Sequence, residues 1–330
     1  MDNYKLPKIV AIIGPTASGK SDLAIKLAKR FSGEIISADS RQIYKGMDIG
    51  TGKVTKKEMA GIPHYLLDVV SPQRTFTVVQ YQKRGSEAIK KILSKGKLPI
   101  IVGGTGFYID ALLYNYKLPS VKPNLKLRRE LEKKSSGELF EKLESLDPVR
   151  AETIDRHNKV RLIRAIEIVI ATKKPVPELK LWQVQDKKPL YDFLKIGIKL
   201  SDEKLKKRIE KRVGTMLKKG LVDEVKKLVK KYGPKQVAFG TIGYREIINY
   251  LAADKNGLNA DARRQNKLPY KSASSLHQSA HSPKEVVEMI NKNTWSFAKR
   301  QMTWFRKDKK IKWVSKKEET VVLAKKFLNE

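Results

Sequence analysis

The chain of 330 residues predicts an α/β fold, a parallel sheet flanked by helices and interrupted by an all-helical insertion. Three observations carry that reading. Short apolar runs alternate with helix-period segments over 8–116, the pattern of strand–helix–strand units. A glycine-rich stretch, Gly14-Pro15-Thr16-Ala17-Ser18-Gly19-Lys20-Ser21, joins the first apolar run to the first helix. From about 117 to 190 strand signals stop, and charged helical sequence takes over, broken by Pro119, Pro123, Pro148, Pro175, Pro177 and Pro189.

The first run, Ile9-Val10-Ala11-Ile12-Ile13, has the composition of a buried strand, and Leu23, Ala24, Leu27 and Ala28 repeat at helical spacing behind the loop. Gly14–Ser21 meets the pattern GxxxxGK[ST] at every fixed position and in its required context. Glycines let successive backbone N–H groups turn inward around an anion, and the helix N-terminus adds its positive end. Lys20 supplies a full charge, and the Ser21 hydroxyl can hold a magnesium ion that bridges phosphate oxygens. The core is therefore expected to be P-loop NTPase-like, with Gly14, Pro15, Thr16, Ala17, Ser18, Gly19, Lys20 and Ser21 around a phosphorylated ligand. The loop alone suits ATP as well as another diphosphate.

Glu34-Ile35-Ile36-Ser37-Ala38 is a short strand ending at the carboxylate of Asp39. A polar, glycine-rich loop over 46–53 follows, then the apolar stretch 64–70 up to Ser71-Pro72. A helix is expected from about Thr77 to Lys95, with Gly96 just past its end, where positive φ favours glycine. Leu98–Val102 is a buried strand running into Gly103-Gly104-Thr105-Gly106. Ligands of such sheets lie beyond the carboxyl ends of the strands. Asp39, Thr105 and the loop at 14–21 should thus share one rim.

Past the insertion, Phe193–Ile198 resumes the sheet. Ser201 caps a helix with Asp202 and Glu203 in its first turn. Leu205, Ile209, Val213, Met216 and Leu217 give it an apolar face, Arg208 and Arg212 share another, and Gly220 ends it. A second helix runs on to Gly233-Pro234. A helix over about 284–305, a strand at Ile311–Val314 and a last helix from Glu318 to Leu328 complete the chain. The expected domains are a core of 1–116 with 191–330 and an insertion of 117–190. Residues 254–283, polar and without period, are expected to be a long mobile surface loop.

Lys and Arg number 70 against 35 Asp and Glu, a net charge of +35. That excess runs along the whole chain and suits a polyanion such as nucleic acid. Cysteine is absent, which excludes disulfides and thiol chemistry. No apolar signal region or membrane-length run occurs, so a soluble, cytoplasmic protein is expected, and it is taken as a monomer. His64 sits beside an apolar strand without a metal-ligand partner at useful spacing. Trp295, Trp304 and Phe305 are expected to pack the core, with Lys299 and Arg300 within reach of RNA phosphate.

Several longer motifs resemble those of the tRNA dimethylallyltransferases (tRNA isopentenyltransferases). They are GPTASGKS (14–21), ISADSRQIYKGMDIGTGK (36–53), GIPHYLLDVVSP (61–72), FTVVQY (76–81), PIIVGGTGFYI (99–109), VRLIRAIEI (160–168), RIEKRVGTMLKKGLVDEVKKL (208–228), TIGYREI (241–247) and AKRQMTWFR (298–306). They run in order from Lys8 to about Val314. The main departure is 254–282, where family members usually have a shorter link.

The resemblance implies transfer of a prenyl group from dimethylallyl diphosphate to the exocyclic amine of the adenosine just 3′ of the anticodon. Asp39 would take the amine proton, a role worth typically ~10²–10⁴-fold; magnesium coordination or helix capping is the other reading of this residue. Thr105 would act at the diphosphate and the adenosine, unless it only caps the helix starting at Gly106. Arg212 would bind the diphosphate, the alternative being an ion pair with a nearby carboxylate. The anticodon stem-loop of tRNA would be met by Asp39, Ser40, Arg41 and Gln42, by Thr105, and by Arg128, Val160, Arg161, Leu162, Ile163 and Arg164. Arg161 and Arg164 could equally be solvated helix charges. A prenyltransferase acting on free adenylate, a small-molecule kinase and a non-enzymatic RNA-binding NTPase are the competing classes.

Overall fold

The computed structural model describes residues 5–119, 121–177, 190–253 and 282–329. β1 (Lys8–Ile13) is a near-continuous apolar run because both its faces are covered. It leads through the glycine loop into α1 (Lys20–Arg30), which buries Leu23, Ala24, Leu27 and Ala28. β2 (Gly33–Ala38) is buried throughout. α2 (Lys56–Met59) is one turn held by a Thr55–Glu58 capping box, followed by β3 (His64–Tyr65). α3 (Val78–Leu93) opens on a Thr77–Gln80 capping box, and Gly96 beyond its end has φ +66°. β4 (Leu98–Gly103) then feeds α4 (Gly106–Leu113).

The chain divides here into two compact units, Met1–Tyr114 with Pro189–Glu330, and Asn115–Lys188. The smaller holds α5 (Leu125–Leu131), α6 (Ser136–Leu146), α7 (Pro148–Thr153) and α8 (Lys159–Thr172). Asn124, Ser135, Asp147 and Asn158 each cap one of these helices through the side chain, a contribution of about 1 kcal/mol apiece. Leu131, Leu139, Leu143, Leu162 and Ile166 form their common core.

The larger unit resumes with β5 (Asp192–Ile198), α9 (Asp202–Lys218) and α10 (Leu221–Tyr232). A 3₁₀ turn at Val237–Gly240, α11 (Tyr244–Ala253), α12 (Pro283–Phe305), β6 (Lys312–Val314) and α13 (Lys317–Asn329) complete it. The sheet is six-stranded, in the order β3-β2-β4-β1-β5-β6, and every pairing is parallel. Alternation splits β1 between two layers. Ile9, Ala11 and Ile13 face α3, α4 and the helices of the second half, while Val10 and Ile12 face α1 and α13. Burial of each such isoleucine contributes about 1.5–3 kcal/mol. Ile13 and Ala38 both pair with Gly103, so β1, β2 and β4 end level, and the loops that follow them meet at one rim.

Two expectations change. The apolar stretch 64–70 is strand over His64–Tyr65 only, because Leu66 and Asp68 turn to φ +64° and +55°; Val70 touches back as an isolated bridge to Tyr44. Trp304 is not a core residue. It is 36% exposed, and its indole N–H donates to Asp110 Oδ2 at 2.8 Å, while Phe305 is buried and Trp295 packs partly against the core. The helix expected over about 284–305 is present as Pro283–Phe305, opened by a capping box of Ser282 and Glu285. The rest of the expected mobile loop, 254–281, lies outside the described residues.

Candidate active site

Gly19 closes the glycine loop in the left-handed region (φ +87°) and serves as N-cap of α1. Ser18 N–H donates to Pro15 O at 3.3 Å, and Lys20 Nζ donates to Pro15 O at 3.1 Å. The loop is therefore already wound, and the first-turn N–H groups of α1 behind it form the positive end expected at an anion site. The Ser18 hydroxyl is buried with no hydrogen-bond partner among the described residues. Arg208 on α9 braces the loop from outside, donating from Nη1 to Ser18 O at 2.9 Å.

The loops after β2 and β4 are stitched to one another. Thr105 N–H donates to Ala38 O at 3.1 Å, and its hydroxyl accepts from Ser40 N–H at 3.0 Å. That hydroxyl makes no capping bond to α4. Asp39 Oδ1 accepts from Arg41 N–H at 2.9 Å, an Asx-type turn that fixes the carboxylate. Gln42 Nε2 donates to Gly52 O at 3.2 Å, tying this segment to the polar loop over 46–53. From the far side Arg212 Nη2 donates to Thr51 O at 3.0 Å. A Cβ on Gly52 would lie 2.1 Å from that guanidinium. Neither Arg208 nor Arg212 pairs with a carboxylate among the described residues; both reach backbone carbonyls instead.

Electrostatics single out the same group. Burial depresses the Lys20 pKa to about 8, against the attraction of Asp39 and with added repulsion from Arg212. Arg212 is likewise lowered by burial, with Asp39 opposing the shift. A cavity of about 350 Å³ opens beside them. Among the described residues Asp39 is its one acidic lining residue, against Arg41, Arg212, Arg245 and Arg300. Sequence reasoning missed Arg245, which lies in TIGYREI and pairs with Glu246 at 2.7 Å. α11, which carries it, was also not foreseen.

The smaller unit holds the remaining expected tRNA contacts. Arg128 donates from Nε and Nη2 to the two oxygens of Glu167 at 2.8 and 2.7 Å. Arg164 donates to the same carboxylate and to Val121 O at 3.0 Å. Glu167 is buried, yet its pKa is lowered: burial pushes it up, and the bonds from Arg128, Asn124 N–H and Arg164 outweigh that. Val160 and Arg161 are exposed, whereas Leu162 and Ile163 belong to the core of this unit. His64 Nδ1 lies 2.8 Å from Ile62 O, a carbonyl that can only accept, so the ring donates there. Among the described residues no three His, Asp or Glu side chains gather to hold a metal, and no helix is long and apolar enough to cross a membrane.

A family model described as IPP transferase matches residues 42–308. The tRNA dimethylallyltransferase of Acetivibrio thermocellus is 44% identical, over 96% of this chain and 93% of its own. The crystal structure of a tRNA delta(2)-isopentenylpyrophosphate transferase from Staphylococcus epidermidis aligns with TM-score 0.67 at 37% identity, covering 98% of this chain and 99% of that one. A eukaryotic dimethylallyltransferase acting on tRNA aligns with TM-score 0.69 at 27% identity, covering 90% and 69%. The chain belongs to the IPP transferase family, alongside the tRNA dimethylallyltransferases.

Proposed function

We propose that this chain transfers the dimethylallyl group of dimethylallyl diphosphate to the exocyclic N6 amine of the adenosine immediately 3′ of the anticodon, releasing diphosphate. The observation that carries this reading is a single carboxylate, Asp39, set among arginines at the mouth of a phosphate loop. In the reaction the amine nitrogen bonds to C1 of the prenyl group and the C1–O bond breaks. The electron pair leaves with the diphosphate, and the amine proton passes to Asp39. Arg41 N–H occupies Oδ1, so Oδ2 is the oxygen for that proton. Lys20, Arg212 and the N–H groups at the start of α1 stabilise charge growing on the leaving group. Met216, Leu221, Ile290 and Phe297 line the same cavity and give a five-carbon chain an apolar wall. Thr105, bonded to Ser40 N–H, holds the Asp39 loop against the end of β4 on the base side.

Magnesium fits the loop in a limited way. The chain offers the Ser21 hydroxyl in the first turn of α1 and, among the described residues, no carboxylate cluster, which suits an ion that takes one or two protein ligands and keeps phosphate oxygens and water. When bound it would neutralise diphosphate charge. The tRNA anticodon stem-loop would be met by Ser40, Arg41 and Gln42 at the rim, and by Arg128, Arg161 and Arg164 of the helical unit. Leu162 and Ile163 would hold α8 in shape. The target base must leave its stack to reach a buried donor, and the work would take place in the cytoplasm.

Unmodified tRNA, labelled dimethylallyl diphosphate and magnesium, incubated with the protein without ATP, should give labelled tRNA. Absence of label with folded protein would overturn the reading, and NTP hydrolysis in its place would favour the kinase or NTPase classes.

A further inference from the structure

Gln301, on α12, is buried to 6% exposure and lies far in sequence from every loop of the site. Its side-chain amide is used at both ends. Oε1 accepts from Thr16 N–H of the phosphate loop at 2.8 Å, and Nε2 donates to Gly104 O at 2.8 Å. Those two loops follow adjacent strands, β1 and β4, and share no direct hydrogen bond among the described residues at these positions. The residue after Gly104 is Thr105, whose hydroxyl accepts from Ser40 N–H, next to Asp39. One amide therefore joins the diphosphate side of the site to the base side. The fit is close: a Cβ on Gly104 would lie 2.1 Å from Nε2.

We infer that Gln301 is a positioning residue for prenyl transfer, a clasp that sets the register between the phosphate loop and the Asp39–Thr105 loop. The inference rests on the function proposed above. An amide is the side chain for this task because it donates at one end and accepts at the other in a fixed plane. Register matters more to the reaction than to either substrate's binding. The nucleophile must meet C1 in line while its leaving group sits in the other loop, and a displacement of about 1 Å can lower the rate ~10²-fold. The clasp also occupies the Thr16 N–H, so the diphosphate would be cradled by the later N–H groups of the loop.

Gln301→Glu keeps the size and the acceptor and sets an oxygen against Gly104 O. We expect kcat to fall ~10–100-fold, with KM for tRNA and for dimethylallyl diphosphate each within about threefold. Gly104→Ala should reproduce this by pushing the amide aside, and it stands as the second variant if the first does not fold. A direct readout uses inorganic diphosphate and hydrogen exchange. In the unaltered protein, diphosphate should slow exchange at Ser40 and Thr105; in Gln301→Glu, protection should stop at the phosphate loop. A kcat within twofold of the unaltered protein, or a loss confined to KM for the prenyl donor, would overturn the clasp. Were the unaltered protein inactive on tRNA while diphosphate protection still spread, the functional reading would fall and the clasp would stand.

Discussion

Both units contain a carboxylate among cations, and the two are used differently. Glu167 accepts from Asn124 N–H, from two nitrogens of Arg128 and from Arg164, so its oxygens are filled and its charge is spent holding α5 against α8. Asp39 accepts one backbone N–H, while Lys20 and Arg212 act on it through space. Among the described residues those two cations reach only backbone carbonyls. The lesson is about saturation. A carboxylate with every lone pair taken is a structural pin; one with an open oxygen beside cations that lack a carboxylate contact can hold a proton while they hold an anion.

The widest test of that contrast is to neutralise each carboxylate. Asp39→Asn should lower kcat ~10²–10⁴-fold while diphosphate and tRNA binding change little, as measured by single-turnover kinetics and separate binding titrations. Turnover near that of the unaltered protein would remove the base assignment. Next in size, Arg212→Ala should lower kcat ~10²–10³-fold, since in the reaction proposed above its guanidinium would meet charge that grows as the C–O bond breaks. A rise in KM alone would place it in ground-state binding. Gly52→Ala should mimic it more weakly, since the added Cβ displaces the same guanidinium.

Much of this site was legible before any coordinates. The phosphate loop is read from local spacing, and Asp39 and Thr105 follow from a rule about strand ends that a parallel sheet obeys. Arg212 needed the family resemblance, because helical spacing gave Arg208 the same face. Gln301, Arg245 and the Glu167 hub were illegible for a common reason. Each acts through partners far along the chain, from Thr16 to Gln301 or from Arg128 to Glu167, and no local period encodes such a contact. Trp304 was misplaced because helical spacing finds a face but not its edge, where the indole N–H meets Asp110.

Glu167→Gln should act on stability and not on chemistry. Removing one charge from a carboxylate 1% exposed leaves Arg128 and Arg164 facing each other across a neutral amide, and both are about a third exposed. Water relieves part of the penalty, so a loss of ~2 kcal/mol is expected, below the 3–5 kcal/mol of a fully buried pair. Urea unfolding should show it. KM for tRNA should rise as the two guanidinium groups lose their common anchor, with kcat held. A large fall in kcat at saturating tRNA would erase the division of labour between the two carboxylates.

The smallest effect is the pH dependence of Lys20. Its pKa is depressed to about 8, mainly by burial, so the ligand-free protein loses this proton as pH rises through about 8. A bound diphosphate favours the charged ammonium, and the complex keeps the proton to higher pH. kcat/KM for the prenyl donor reports the free enzyme and kcat the complex. The ratio should therefore decline above about pH 8, by at most ~tenfold per unit, while kcat stays level over the same window. Lys20→Arg, which does not titrate there, should flatten the decline even at lower overall activity. The tRNA contacts proposed on the helical unit are arginines, a side chain that stays charged across this range, so KM for tRNA should not follow the same curve. A matching decline in KM for tRNA would mean that the titrating cation lies outside the phosphate loop.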